Sequence, residues 1–109
     1  MKNLLNKKCI PCEGGTLPLA ADEIQKYLPE VPGWRVVENK KIQRELGFKN
    51  FKEAVAFVNK VADLAEREGH HPDIYLHNWN KVRIDISTHV IHGLSENDFI
   101  LAAKINALY

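Results

Sequence analysis

The segment from Asn50 to Glu68 constrains the fold most, because its apolar residues recur at the spacing of one helical face. Asn50 can cap the first turn, and Glu53 follows three residues later in a capping-box relation. Gly69 stands where a left-handed residue commonly ends a helix. The segment therefore predicts a long helix with one apolar face. The predicted apolar face consists of Phe51, Ala54, Val55, Val58, Val61, Ala62 and Ala65.

On each side of this helix the chain has the pattern of two strands joined by a tight turn. The predicted strands are residues 34–38, 41–48, 73–78 and 81–88. Shorter helices are predicted over residues 20–28 and 95–108. The order α-β-β-α-β-β-α favours an α+β fold, in which a four-stranded antiparallel sheet carries the helices on one face.

The length of 109 residues predicts one domain, because two separate cores would each be too small to be stable. We interpret residues 1–18 as an irregular N-terminal extension and residues 19–109 as the single domain. Cys9 and Cys12 lie in the extension. No strand precedes them, as a thioredoxin-like redox pair would require, and no second cysteine pair completes a zinc site. The extension is therefore interpreted as flexible, with incidental thiols.

The charge balance gives no reason to expect nucleic acid or an anionic membrane as a partner. The chain has 15 basic and 14 acidic residues, a formal net charge of +1. No stretch approaches the length of a membrane span, and the Leu4-Leu5 pair is too short for the apolar part of a secretion signal. We expect a cytoplasmic protein with reduced thiols.

All five histidines fall between positions 70 and 92. Histidine titrates near neutrality, with an ordinary pKa of about 6.5, so a cluster suggests proton transfer or metal binding. The histidines are His70, His71, His77, His89 and His92.

Three of these histidines are expected to converge. His70 and His71 precede the second predicted hairpin, and His89 follows it. Two antiparallel strands return the chain to its starting edge, so His89 can approach the other two. A single loop histidine is usually a surface residue, and for His77 and His92 that interpretation is favoured.

A metal site is the alternative use of such a cluster, since zinc accepts three histidines. The adjacent His70 and His71 cannot easily face one ion in an extended segment, and no His-x-His or glutamate-containing zinc motif occurs. Acid–base catalysis is therefore favoured over metal binding.

The spacing of residues around the histidines carries a family resemblance. The residues concerned are Glu66, His70, His71, Pro72, Trp79, His89 and Asp98. At these intervals the chain resembles the pterin-4a-carbinolamine dehydratase family, from about Trp34 to the C-terminus. The stretch Cys9-x-x-Cys12-Glu-Gly-Gly is similar to the N-terminal extension of many bacterial and plant members.

The resemblance implies dehydration of 4a-hydroxytetrahydropterin (tetrahydrobiopterin 4a-carbinolamine) to quinonoid dihydropterin, in pterin recycling. No metal or organic cofactor takes part, and the partners implied are the pterin substrate and further copies of the chain, as a homodimer or homotetramer. The alternative is a partner-binding or assembly factor of the same fold. Animal members also serve as dimerisation cofactors of a homeodomain transcription factor, and related bacterial proteins assist enzyme assembly.

The resemblance also implies roles for particular residues. His70, His71 and His89 are the implied catalytic residues. The implied substrate-binding or supporting residues are Glu66, Pro72, Thr88 and Asp98. Glu66 could orient an imidazole or be an exposed charge at a helix end. Asp98 forms a Ser-x-x-Asp cap with Ser95, a role that needs no catalytic explanation.

Overall fold

The computed structural model describes residues 3–11 and 15–109, and its element order confirms the predicted α+β fold. The helices are α1 (Ala21–Tyr27), α2 (Phe51–Glu68) and α3 (Glu96–Leu108). The strands are β1 (Arg35–Val37), β2 (Lys41–Gly47), β3 (Asp73–His77) and β4 (Lys81–Ile86). Short 3₁₀ turns occur at Leu4–Asn6, Leu28–Glu30 and His89–Ile91. No helix in these two ranges is long and apolar enough to cross a membrane.

The four strands form one antiparallel sheet in the order β1-β2-β4-β3. The two hairpins meet where β2 pairs with β4, with Ile42 opposite Ile86 and Leu46 opposite Val82. These side chains are buried and belong to one core with those of α2 and α3. The opposite face carries charged side chains, as the alternation along a half-covered strand predicts. The helices therefore lie on one face of the sheet, as expected.

Both hairpin turns need backbone that favours asparagine or glycine. Glu38 and Asn39 have φ values of 54° and 57°, and Asn78 and Trp79 have 50° and 54°. Two successive residues with positive φ match the right-handed twist of the strands that they join. β1 and β3 consequently end at Val37 and His77, one residue earlier than the sequence pattern predicts.

The bounds of α2 confirm the prediction, but its buried face differs from the predicted one. The side-chain oxygen of Asn50 accepts a hydrogen bond from Glu53 N at 2.9 Å, and Gly69 ends the helix with φ 65°. Phe57 and Leu64 are buried, whereas Phe51 and Ala62 are exposed. Burying two large side chains removes more apolar area from water than burying Phe51 with Ala62. The helix is therefore rotated relative to the prediction.

The N-terminal residues are not loosely attached. Leu4 and Cys9 are buried in the main core, so the interpretation of a flexible segment is wrong for residues 3–11. Burial, followed by the charge of Glu68 and a hydrogen bond to it, raises the pKa of the Cys9 thiol to about 12. Cys9 is thus a structural thiol. Cys12 lies outside the described residues, and a domain boundary at residue 18 stays a prediction.

Candidate active site

Three of the five histidines line one surface cleft of about 280 Å³, which we call the histidine cleft. His70 and His71 come from the loop that follows α2, and His89 comes from the 3₁₀ turn that follows β4. The structure therefore brings together the three histidines that the hairpin topology predicts to converge. Three larger hollows, of about 330, 530 and 600 Å³, have no histidine among their described lining residues, and the 600 Å³ hollow adjoins the histidine cleft through Ile10, Pro11 and Asn97. The histidine cleft is consequently the candidate site for proton chemistry.

His70 is held by a buried carboxylate. Its Nε2 lies 2.6 Å from Asp98 Oδ1, and the imidazole is 13% exposed while Asp98 is fully buried. An ionised carboxylate only accepts hydrogen bonds, so Nε2 carries the hydrogen and neutral His70 keeps its lone pair on Nδ1. This contact fixes the orientation of the ring and its tautomer together.

The second oxygen of Asp98 is bound by the loop before α3. Oδ2 accepts hydrogen bonds from Thr88 Oγ1 and from Ser95 N, both at 2.8 Å. The predicted cap of α3 is therefore present, and the capping carboxylate is also the partner of His70. The Thr88 hydroxyl lies 2.8 Å from Ser95 Oγ as well. Thr88 is buried, lines the cleft and supports Asp98 there.

His71 has a carboxylate partner of a different kind. Its Nε2 lies 2.5 Å from Glu66 Oε2, with the two side chains 62% and 77% exposed. Both roles considered for Glu66 agree with the geometry, because Glu66 is an exposed charge near the end of α2 and its carboxylate contacts the imidazole of His71. Water screens such a pair and competes for its hydrogen bonds, so it restrains the ring only weakly.

The turn that carries His89 is closed at its base. Thr88 N donates to Gly93 O at 2.9 Å, and a Cβ on Gly93 would lie 2.6 Å from Pro18 Cβ. This close approach requires glycine and holds the turn against the N-terminal part of the chain. His89 itself is exposed. It also lines an adjoining hollow of about 210 Å³, together with Lys40 and His92.

The remaining predicted residues lie outside the cleft lining. His77 is exposed and lies 3.1 Å from Glu45, and His92 is exposed beyond the turn. Trp79 is exposed in the β3–β4 turn, at the opposite end of the hairpin from the three histidines of the cleft. Pro72 follows His71 and leads into β3. Within residues 3–11 and 15–109, no group of three or more histidine, cysteine, aspartate or glutamate side chains is arranged to hold a metal ion.

Six lining residues were not predicted as site residues from the sequence. They are Ile10, Pro11, Gly69, Ser87, Val90 and Asn97. Asn97 and Ile10 are 87 positions apart and are joined by hydrogen bonds, so no local sequence pattern indicates their contact. The adjacency of Asn97 to Asp98 is the one signal that could have placed it near the site.

Comparison with known proteins identifies consistent relatives. The family model described as pterin 4 alpha carbinolamine dehydratase matches residues 17–108. A protein of Alkaliphilus metalliredigens, provisionally named pterin-4-alpha-carbinolamine dehydratase, is 51% identical over 97% of this chain and 96% of its own. The mitochondrial pterin-4-alpha-carbinolamine dehydratase 2 of Arabidopsis thaliana is 46% identical over 99% of this chain and 60% of its own.

A solved structure has a fold similar to that of this chain. The crystal structure described as a transcriptional coactivator/pterin dehydratase from Brucella melitensis superimposes with a TM-score of 0.78 at 33% identity. The match covers 84% of this chain and 97% of that protein. The resemblance predicted from the sequence is confirmed.

Proposed function

Because the chain belongs to the pterin 4 alpha carbinolamine dehydratase family, whose members are hydro-lyases, we propose that it dehydrates 4a-hydroxytetrahydropterin to quinonoid dihydropterin. One observation supports assigning this reaction to particular residues. His70, His71 and His89 line one cleft, and His70 is bonded to the buried carboxylate of Asp98.

The reaction needs one proton delivered and one removed. The lone pair of the ring nitrogen forms a C=N bond as the C4a–O bond breaks. The departing oxygen takes a proton and leaves as water, while the nitrogen loses its own proton. The protein therefore ends the cycle with as many protons as it began with. Positioned acid and base groups contribute about 10²–10⁴-fold to such a step.

The environments of the histidines favour different roles. His70 donates from Nε2 to Asp98 and so offers Nδ1 as a proton acceptor, while the carboxylate stabilises the imidazolium that forms. We assign His70 as the base that takes the nitrogen proton. His89 is exposed and lines the same cleft, a position that suits the acid that protonates the departing hydroxyl. His71, held by Glu66 at the rim, shapes the pocket.

The test follows the decay of 4a-hydroxypterin absorbance with purified protein that has been treated with a chelator. The wild-type protein should accelerate the decay, and His70→Ala should lower kcat by about 10²–10³-fold. His77→Ala is the matched control, because His77 lies outside the cleft. If the chelated wild-type protein is no faster than buffer, the proposed function is wrong.

A binding role is the second candidate. The name of the Brucella melitensis protein combines transcriptional coactivator with pterin dehydratase. A partner that co-purifies equally with wild-type protein and with His70→Ala would support a role independent of the histidines.

Assembly as a homodimer or homotetramer and a cytoplasmic location also stay proposals. Light scattering and cell fractionation test them, and the mitochondrial name of the plant relative makes the second test necessary.

A further inference from the structure

Residues 7–11 of the N-terminal region, which we call the strap, are held by one buried amide side chain. Asn97 Oδ1 accepts from Ile10 N at 3.0 Å, and Asn97 Nδ2 donates to Ile10 O at 2.5 Å. Asn97 is buried in the first turn of α3, next to Asp98. Both backbone polar groups of Ile10 are thus satisfied by one side chain, and leaving its buried amide unpaired would be unfavourable.

A second anchor ties the strap to the end of α2. Glu68 Oε1 accepts from Cys9 N at 2.9 Å, Glu68 Oε2 accepts from Lys104 Nζ at 2.8 Å, and Lys8 Nζ donates to Arg67 O at 2.6 Å. Burial alone would raise the pKa of Glu68, but hydrogen bonds from Lys104 and Cys9, with the charges of Lys104 and Lys8, lower it. The strap therefore joins the end of α2, which leads to His70, to the start of α3, which carries Asp98.

The anchored backbone presents apolar side chains to the cleft. Ile10 is 70% exposed although its backbone is fixed, and it lines the histidine cleft with Pro11. Val90, beside His89, is another exposed apolar residue of the lining. Ile10, Pro11 and Val90 together give the cleft an apolar side next to its histidines, and apolar walls combined with a few polar groups are typical of a small-molecule site.

We propose that the strap is a wall of the active site, with Ile10 as a substrate-contacting residue and Asn97 as the residue that positions it. Ile10 packs against a face of the pterin ring and holds the ring against the histidines. This inference rests on the dehydratase function proposed above. It differs from a purely structural role of the strap, which would affect unfolding and leave KM unchanged.

The first test compares Ile10→Ala with Leu17→Ala. Leu17 is a matched control, because it is an apolar residue of the same region, 87% exposed and outside the cleft lining. Ile10→Ala removes apolar area that would contact the pterin ring, so KM should rise about three- to tenfold. The Kd of an unreactive 7,8-dihydropterin, measured by fluorescence, should rise by about the same factor. The kcat of this variant should change less than twofold, and its Tm should match wild type. Leu17→Ala should leave KM and Kd unchanged.

The second test releases the strap through Asn97→Asp. The aspartate still accepts from Ile10 N and is favourable in the first turn of a helix, but it cannot donate to Ile10 O and repels that carbonyl when ionised. KM should rise at least as much as in Ile10→Ala. The double variant should be little worse than Asn97→Asp alone, because both changes remove the same contact.

The outcomes separate the two proposals. If wild-type protein is active and Ile10→Ala has the KM and Kd of Leu17→Ala, the strap inference is wrong and the dehydratase function stands. If wild-type protein neither binds the dihydropterin nor dehydrates the carbinolamine, the proposed function is wrong, and the strap inference is rejected with it.

Discussion

His70 and His71 are adjacent in the chain, and each meets a carboxylate through Nε2, but the two contacts lie in opposite environments. Asp98 is fully buried and binds Thr88 and Ser95 through its other oxygen, whereas Glu66 and His71 both face solvent. Desolvated charged hydrogen bonds are costly to break, while exposed ion pairs are worth about 0–1 kcal/mol. Two similar distances therefore imply different consequences, and burial decides which contact restrains its imidazole.

Asp98→Asn should have the largest effect. The amide can donate to His70 through its nitrogen, which moves the imidazole hydrogen to the nitrogen proposed as the base. We expect kcat to fall about 10²–10³-fold with KM nearly unchanged, because the lost interaction serves the transition state. Steady-state kinetics measure this, and near-UV circular dichroism checks the fold. If Asp98→Asn keeps the kcat of the wild-type protein, the buried contact does not orient a catalytic base.

Thr88→Val should have the next largest effect. Valine keeps the shape of threonine but removes the hydroxyl that donates to Asp98 Oδ2, leaving that oxygen with Ser95 N. We expect a loss of about 1–2 kcal/mol in the free energy of unfolding and a fall of up to about tenfold in kcat. Urea unfolding and kinetics measure the two effects. Thr88→Ser, which keeps the hydroxyl, should recover most of kcat, and failure of this rescue would count against the hydrogen bond.

The Glu68–Lys104 pair adds a third contact to the comparison of the His70 and His71 carboxylates, because it is largely buried and lies outside the cleft. The pKa of Glu68 is lowered in the folded state, so its stabilising contribution is present above its usual value of 4.5 and is lost as the pH falls through the folded value. Glu68→Gln should reduce the fall in Tm below pH 4.5 relative to wild type. Parallel Tm–pH curves for the two proteins would contradict this assignment.

Glu66→Gln should have the smallest effect. The glutamine can still contact His71, and the lost charge was screened by water. We expect Tm to be unchanged and kcat/KM to fall less than about fivefold. High salt should reduce even this difference, because it screens exposed charges. A loss comparable to that of Asp98→Asn would mean that exposure is not what separates the two pairs.

Much of the fold could be predicted because its signals are local. Asn50 and Gly69 mark the ends of α2, and the turn residues mark both hairpins. The buried face of α2 could not be predicted in the same way. Phe57 and Leu64 are buried because the sheet and α3 lie on that side of the helix, and a sequence pattern read within one helix does not contain that position.

The sequence by itself determined that three histidines would converge, since antiparallel strands with a tight turn return the chain to its starting edge. Only the tertiary structure decided what holds them. Asp98 meets His70 across 28 positions, and Asn97 holds Ile10 across 87. Such contacts follow from the packing of α3 against both α2 and the strap. Chain spacing encodes turns and periodicity, whereas the partners of a buried carboxylate or amide depend on which distant groups the packed core leaves beside it.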